Sequence, residues 1–230
     1  MERPPSAPRL STVPLPSPRR ISASINAEVD AQLNSAEIDI ELSIDPLLTA
    51  PYPPPLRWDV TEHPNNIKLA SMGLPQARDL SREDLARCAV RMSANGGPVK
   101  LPHITLVFPG LPLMVAIEPI DAPVWTSTPL PYVTVGDVLY SLYKALRLSV
   151  PLRELYALTR AHQESVSGVF RQRLARDLKN YDKNIHYGVR YIDYLGKMRQ
   201  FVGLRPAAGI EVPTGKKRGE VFVVVLFPAH

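Results

Sequence analysis

The chain has a single cysteine, Cys88, in 230 residues, which rules out an intramolecular disulfide and a cysteine-rich zinc site. Long apolar runs are also missing. The longest, from Val221 to Phe227, falls far short of the ~20 residues that a membrane-spanning helix needs. The first residues carry arginine and proline without the apolar stretch of a secretory signal. These absences lead us to expect a soluble intracellular protein, cytoplasmic or nuclear, with no signal peptide or transmembrane segment. No compact pattern of nucleophile and base, metal ligands or phosphate cradle is present either. No cofactor or metal is therefore expected, and no catalytic residue is assigned.

Proline is what the chain has in excess, with 25 residues unevenly placed. Pro4, Pro5, Pro8, Pro14, Pro16 and Pro18 crowd the start, among serines and arginines with almost no hydrophobic periodicity. Such a segment buries too little to offset the entropy of ordering, so residues 1–37 read as a disordered arm. Residues 38–230, in a chain that is 45% apolar, read as one α+β domain.

The charge balance is +5, from 27 basic and 22 acidic side chains. Binding a nucleic acid needs that charge gathered on one face. Arg171, Arg173, Arg176, Lys179 and Lys183 cluster, yet Asp177 and Asp182 are interleaved, and Glu28 to Asp45 form an acidic run. The basicity therefore reads mainly as solvation, and a nucleic-acid partner is not expected.

Local codes place most of the elements. Alternation in Ile38 to Ile44 predicts a half-exposed strand ended by Pro46, and Pro51 to Pro55 predicts polyproline II leading into a strand at Leu56 to Val60. Ser81 and Asp84 form a capping box that opens a helix over Arg82 to Ser93, with Asn95-Gly96-Gly97 as its stop. His103 to Phe108 and Leu113 to Ile117, bounded by Pro102, Pro109-Gly110 and Pro119, predict a hairpin. Thr134 and Asp137 form a second capping box, with Val133 and Val138 as its hydrophobic staple, on a helix running to about Arg147. A short helix after Pro151 and a longer one over Arg160 to Lys179 follow, then strands at Gly188 to Leu195 and Gln200 to Leu204. Val221 to Phe227, apolar on both faces, predicts the central strand. The whole reads as one mixed or largely antiparallel sheet packed by three to four helices.

Several blocks together resemble an uncharacterised domain family, abundant in mushroom-forming basidiomycete fungi, that is known only as a domain of unknown function. They are Asp45-Pro46-Leu47-Leu48, Leu56 to Val60, Val133 to Leu139, Val189 to Leu195 and Phe201-Val202-Gly203-Leu204. Asp45 and Leu113 depart from its pattern. The resemblance implies a compact α+β domain and transfers no activity, cofactor or catalytic residue.

Individual residues support mostly structural readings. His103, His162 and His186 have no ligand spacing among them. Gly215-Lys216-Lys217-Arg218-Gly219 has a phosphate loop's composition but leads into a strand, not a helix, and reads as a solvated connection. Trp58 reads as core, and Tyr187, Tyr191 and Tyr194 as packing before any groove. Asp193, placed on the inner face of its expected strand, needs a donor such as Arg57 or a helix N-terminus. Cys88, expected within a helix, reads as an inert thiol.

Two functions remain open: a non-enzymatic protein-interaction or scaffold domain, or an enzyme of unknown reaction whose site assembles only in three dimensions. A pocket joining three or more of Asp59, His103, Asp137, His186 and Asp193 would favour the enzyme. Partner binding is assigned to the arm, at Pro14, Pro16, Pro18, Arg19 and Arg20. These can present a polyproline II ridge ending in two cations to an SH3-type groove. The partner and the oligomeric state are not given by the sequence.

Overall fold

The computed structural model describes residues 41–51, 53–70, 77–94 and 97–229, all within a unit spanning Asp39–His230. The arm, including Pro14, Pro16, Pro18, Arg19 and Arg20, lies outside the described residues, as do Ile38 to Ile40, Tyr52 in the proline run, and Asn95-Gly96.

The elements in chain order begin with β1 (Glu41–Ile44), β2 (Leu56–Arg57), β3 (Lys68–Leu69), β4 (Arg78–Asp79), α1 (Arg82–Ala86) and β5 (Val90–Ala94). Next come β6 (Gly97–Lys100), β7 (Ile104–Val107), β8 (Met114–Ile117), α2 (Val135–Ala145), α3 (Leu152–Tyr156) and α4 (Arg160–Arg176). The chain closes with α5 (Tyr181–Tyr187), α6 (Tyr191–Tyr194), β9 (Met198–Pro206) and β10 (Val221–Pro228).

The α+β class holds, but the strands form three small sheets and not one: β1-β5-β6, β2-β3-β4 and β8-β7-β10-β9. The reason lies between Pro46 and Pro55. The prolines there cannot donate to a ladder, so this stretch meets the outer edge of β9 through the single bridge Thr49–Leu204, and beyond it Asp59 makes another, to Gln200. Leu48, Trp58 and Val60 still bond β9 through Leu204 N to Leu48 O (2.6 Å), Phe201 N to Trp58 O (2.8 Å) and Val60 N to Arg199 O (2.9 Å). The outer edge of β9 is thereby covered. The approach is close enough that a Cβ on Gly203 would stand 2.3 Å from the Thr49 carbonyl oxygen.

In the four-stranded sheet β10 is internal, parallel to β7 and antiparallel to β9, as its apolar run requires. Phe222 and Val224 face the main core with Phe201, Leu204, Ile104 and Leu106. Val138, Leu139 and Leu142 of α2 join that core. The α2 cap forms as its sequence dictates: Asp137 N donates to Thr134 Oγ1 (3.1 Å), while the Asp137 carboxylate accepts from Thr134 N (2.8 Å) and, through its other oxygen, from Ile120 N (2.9 Å).

Three local expectations are corrected. The helix after Ser81 ends at Ala86, and Val90 to Ala94 is β5, which pairs with β6 across Ala94 and Gly97. Tertiary bonds override helix propensity there, because Ala89 N donates to Val133 O and Val135 N donates to Arg87 O, drawing this segment against the start of α2. Cys88 accordingly lies in a bridge to Thr134 and not in a helix. Residues Tyr191–Tyr194 form a helical turn, α6, in place of the expected strand, because the Asp193 carboxylate accepts from Arg190 N (2.9 Å) and caps it.

Candidate functional site

The polar residues that could have formed a catalytic group are held in separate structural bonds. Asp59 accepts from Thr61 N at 2.8 Å and from its hydroxyl at 2.6 Å, with Arg199 Nε 3.7 Å away. Asp137 is consumed by the α2 cap. His103 lies 3.3 Å from Glu220, and the His186 ring packs edge-on against Tyr187. Asp193, 1% exposed, is held by Arg173 and not by Arg57: Nε and Nη2 each donate to a carboxylate oxygen at 2.8 Å. His162 contributes only its backbone, which donates to Thr159 Oγ1 at the start of α4 (3.4 Å). Among the described residues no group of three or more His, Cys, Asp or Glu side chains could hold a metal ion.

The aromatic readings divide. Trp58 is core, 5.6 Å from the Phe201 ring, with its indole N–H donating to Glu62 O (3.0 Å). Tyr187 is exposed. Tyr191 is buried and donates to Glu154 (2.8 Å); burial first, then that bond, pushes its phenol up to about 12. Burial likewise raises the Cys88 thiol, which donates to Val90 O (3.2 Å) and has no base to activate it. In the Gly215 to Gly219 loop both glycines have positive φ and β10 follows, so no helix aims amides at a phosphate.

A cluster that sequence reasoning missed lies along α2. The Trp125 ring packs on Tyr140 (5.1 Å), His63 packs edge-on to Tyr140 and Tyr143, and the Arg147 guanidinium stacks on Tyr143 (3.3 Å). These groups occupy one another's faces. Arg147 also donates to Val60 O, Thr61 O and Tyr143 O, which ties the end of α2 to the turn after β2. The arrangement is a clamp that joins Trp125, the turn after β2 and the end of α2.

An apolar concave feature lies elsewhere, at the end of β10. The ladder to β7 covers only Val221, Phe222 and Val223 of β10 before β7 stops at Val107, whereas β10 runs on to Pro228. Phe108, Pro109 and Gly110 then lead the chain away, with Gly110 at φ +77°. Alternation fixes where the backbone points. Thr105 N donates to Glu220 O on the β7 side, whereas Ala207 N donates to Val221 O and Ala229 N to Lys197 O on the β9 side. Even-numbered residues of β10 thus present their backbone groups to β7, and odd-numbered ones to β9. The carbonyl of Val224 and both the N–H and the carbonyl of Leu226 point past the end of β7, where no described residue bonds them. Pro228, next on that side, has no N–H to offer.

A groove of about 330 Å³ lies against this overhang, between Phe108 to Leu111 on one side and Tyr194, Leu195 and Met198 on the other. Its floor is Val223 to Leu226. Residues from both faces of the sheet line it, as a groove at a strand edge requires. Its one buried polar side-chain atom without a hydrogen-bond partner among the described residues is the Tyr194 hydroxyl, whose pKa burial raises. None of Asp59, His103, Asp137, His186 and Asp193 lines the groove. It can seat an apolar, extended backbone and has no acid, base or nucleophile arrayed for chemistry.

The architecture is thus that of an α+β domain with a four-stranded mixed sheet at its centre. The chain belongs to DUF6699, a family of unknown function, whose model matches residues 56–217. No curated protein and no solved structure matches the chain.

Proposed function

We propose that the chain is a non-enzymatic protein-interaction or scaffold domain acting inside the cell. The observation that carries this reading is the dispersal of Asp59, His103, Asp137, His186 and Asp193, none of which lines the groove at the β10 edge. A catalytic site needs such groups within hydrogen-bonding reach of one reacting atom. An interaction domain needs apolar concavity and spare backbone valence.

The arm adds a second means of recruitment. Pro14, Pro16 and Pro18, followed by Arg19 and Arg20, suit a polyproline II ridge for an SH3-type partner. Ser22 stands at a spacing from those arginines that basic-directed kinases accept, and a phosphate there would add roughly −1.5 to −2 charge beside them. Affinity capture with the full chain and with a chain lacking residues 1–24 tests the reading. Loss of at least one partner with an unchanged melting temperature is expected. An unchanged partner list would overturn recruitment by the arm.

A further inference from the structure

We propose that the overhanging edge of β10 is a docking site for a short, extended, uncharged peptide segment of a partner protein, which adds to the sheet as a strand in line with β7. The proposal rests on the reading of the domain as an interaction module, but it places the contact on the folded body and not on the arm.

The identity of the occupant follows from what the site leaves unmet. The Val224 carbonyl and the Leu226 N–H and carbonyl alternate acceptor, donor, acceptor along one line, a pattern that another extended backbone matches. A sugar or a nucleotide does not repeat donors and acceptors at that spacing. The groove beside the edge sets the side chains. On the core side a guest residue meets Tyr194, Leu195 and Leu226; on the other face it meets Val223 and Val225. Both sets favour β-branched or small apolar residues. A charged guest side chain gains nothing, since Arg205, the one charged residue lining the groove, is already paired with Glu211 by bonds of 2.6 and 2.7 Å. Length is bounded by the end of the β7 ladder at Val107 and by Pro228.

The test uses the full chain and a capped, fluorescein-labelled heptapeptide of alternating valine and threonine. A second peptide is N-methylated at every other residue, so that its side chains are kept while half its backbone donors are lost. Fluorescence anisotropy should show saturable binding of the first and at least tenfold weaker binding of the second. Hydrogen exchange should show the Leu226 amide slowed by the first peptide. Leu226→Pro, which removes an N–H that the β9 ladder does not use, should weaken binding at least tenfold. Equal affinity for both peptides would mean mere apolar adhesion and overturn the proposal, as would no saturable binding. Concentration-dependent self-association that excludes the peptide and is lost in Leu226→Pro would overturn it in favour of a second copy of the chain. Deleting residues 1–24 should leave peptide affinity unchanged whether or not recruitment by the arm survives its own test. Loss of affinity on that deletion would transfer the site to the arm and overturn the proposal.

Discussion

Arg173 and Asp193 are joined by two hydrogen bonds of 2.8 Å, and the same guanidinium also donates to Asn184 Oδ1 (3.2 Å) and Gly188 O (3.0 Å). One side chain of α4 thereby holds α5, the turn after it and α6. Asp193→Ala leaves that arginine's charge without its carboxylate partner and uncaps α6. Removing one partner of a buried pair costs about 3–5 kcal/mol, and chemical denaturation should register a loss of that order.

The α2 cap separates two contributions. Thr134→Ala removes one acceptor and should cost about 1 kcal/mol. Asp137→Ala should cost more, because its carboxylate also holds Ile120 N, and so anchors the loop after β8 as well as the helix start. Equal denaturation midpoints for wild type and Thr134→Ala would remove the cap from the account.

Arg78 donates to both oxygens of Asp84 (2.6 and 3.2 Å), and this, aided by bonds from Ser81, holds the Asp84 carboxyl down at about 2. A carboxyl depressed in the folded state stabilises it above the unfolded value of 3.8 and loses that contribution as pH falls toward 2. Stability should therefore fall across this window in wild type and fall less in Asp84→Asn, as measured by denaturant midpoints at each pH.

Gly203 and Thr49 touch so closely that Gly203→Ala cannot be accommodated without moving the segment after β1 off β9. Overpacking of this kind costs about 1–3 kcal/mol. A thermal melt of Gly203→Ala should show the loss, and a melt identical to wild type would mean that the edge covering yields freely.

Hydrogen exchange should divide β10 along its length. The amides of Phe222 and Val223 lie where β10 is paired on both sides and should be among the slowest in the molecule. The Leu226 amide, on the overhang, should exchange much faster than the Val225 amide, which faces β9. Matching rates for the two would mean that the overhang is covered.

How far the sequence could be read follows the range of the forces involved. Thr134, Asp137, Ser81 and Asp84 were legible because a cap needs only residues three apart. The hairpin of β7 and β8 was bounded by its own prolines, and β10 was marked by being apolar on both faces. By contrast α1 stops at Ala86 because Arg87 and Ala89 bond the start of α2, nearly fifty residues away in sequence. The segment Val189 to Leu195 alternates like a strand, and its helical turn is decided by an aspartate capping a position occupied by arginine, a residue that gives no capping signal. The partition into three sheets depended on where the chain between Pro46 and Pro55 lay in space. The groove left one readable trace, since His103 to Phe108 is cut short by Pro109 while its neighbour Val221 to Phe227 runs on. Two adjacent strands of unequal length leave an overhang, but their adjacency is not written in either segment.

The placement of Pro228 on the same side as Leu226 acts as a ruler. Three backbone groups are exposed between the last rung of β7 and a residue that cannot donate, so only a segment of a few residues fits, and one per molecule. A longer strand would find at most the Pro228 carbonyl beyond them, and so short a template gives a stack of molecules joined edge to edge little to build on. The edge can be adhesive toward one guest and still be harmless to the solubility of the chain that carries it.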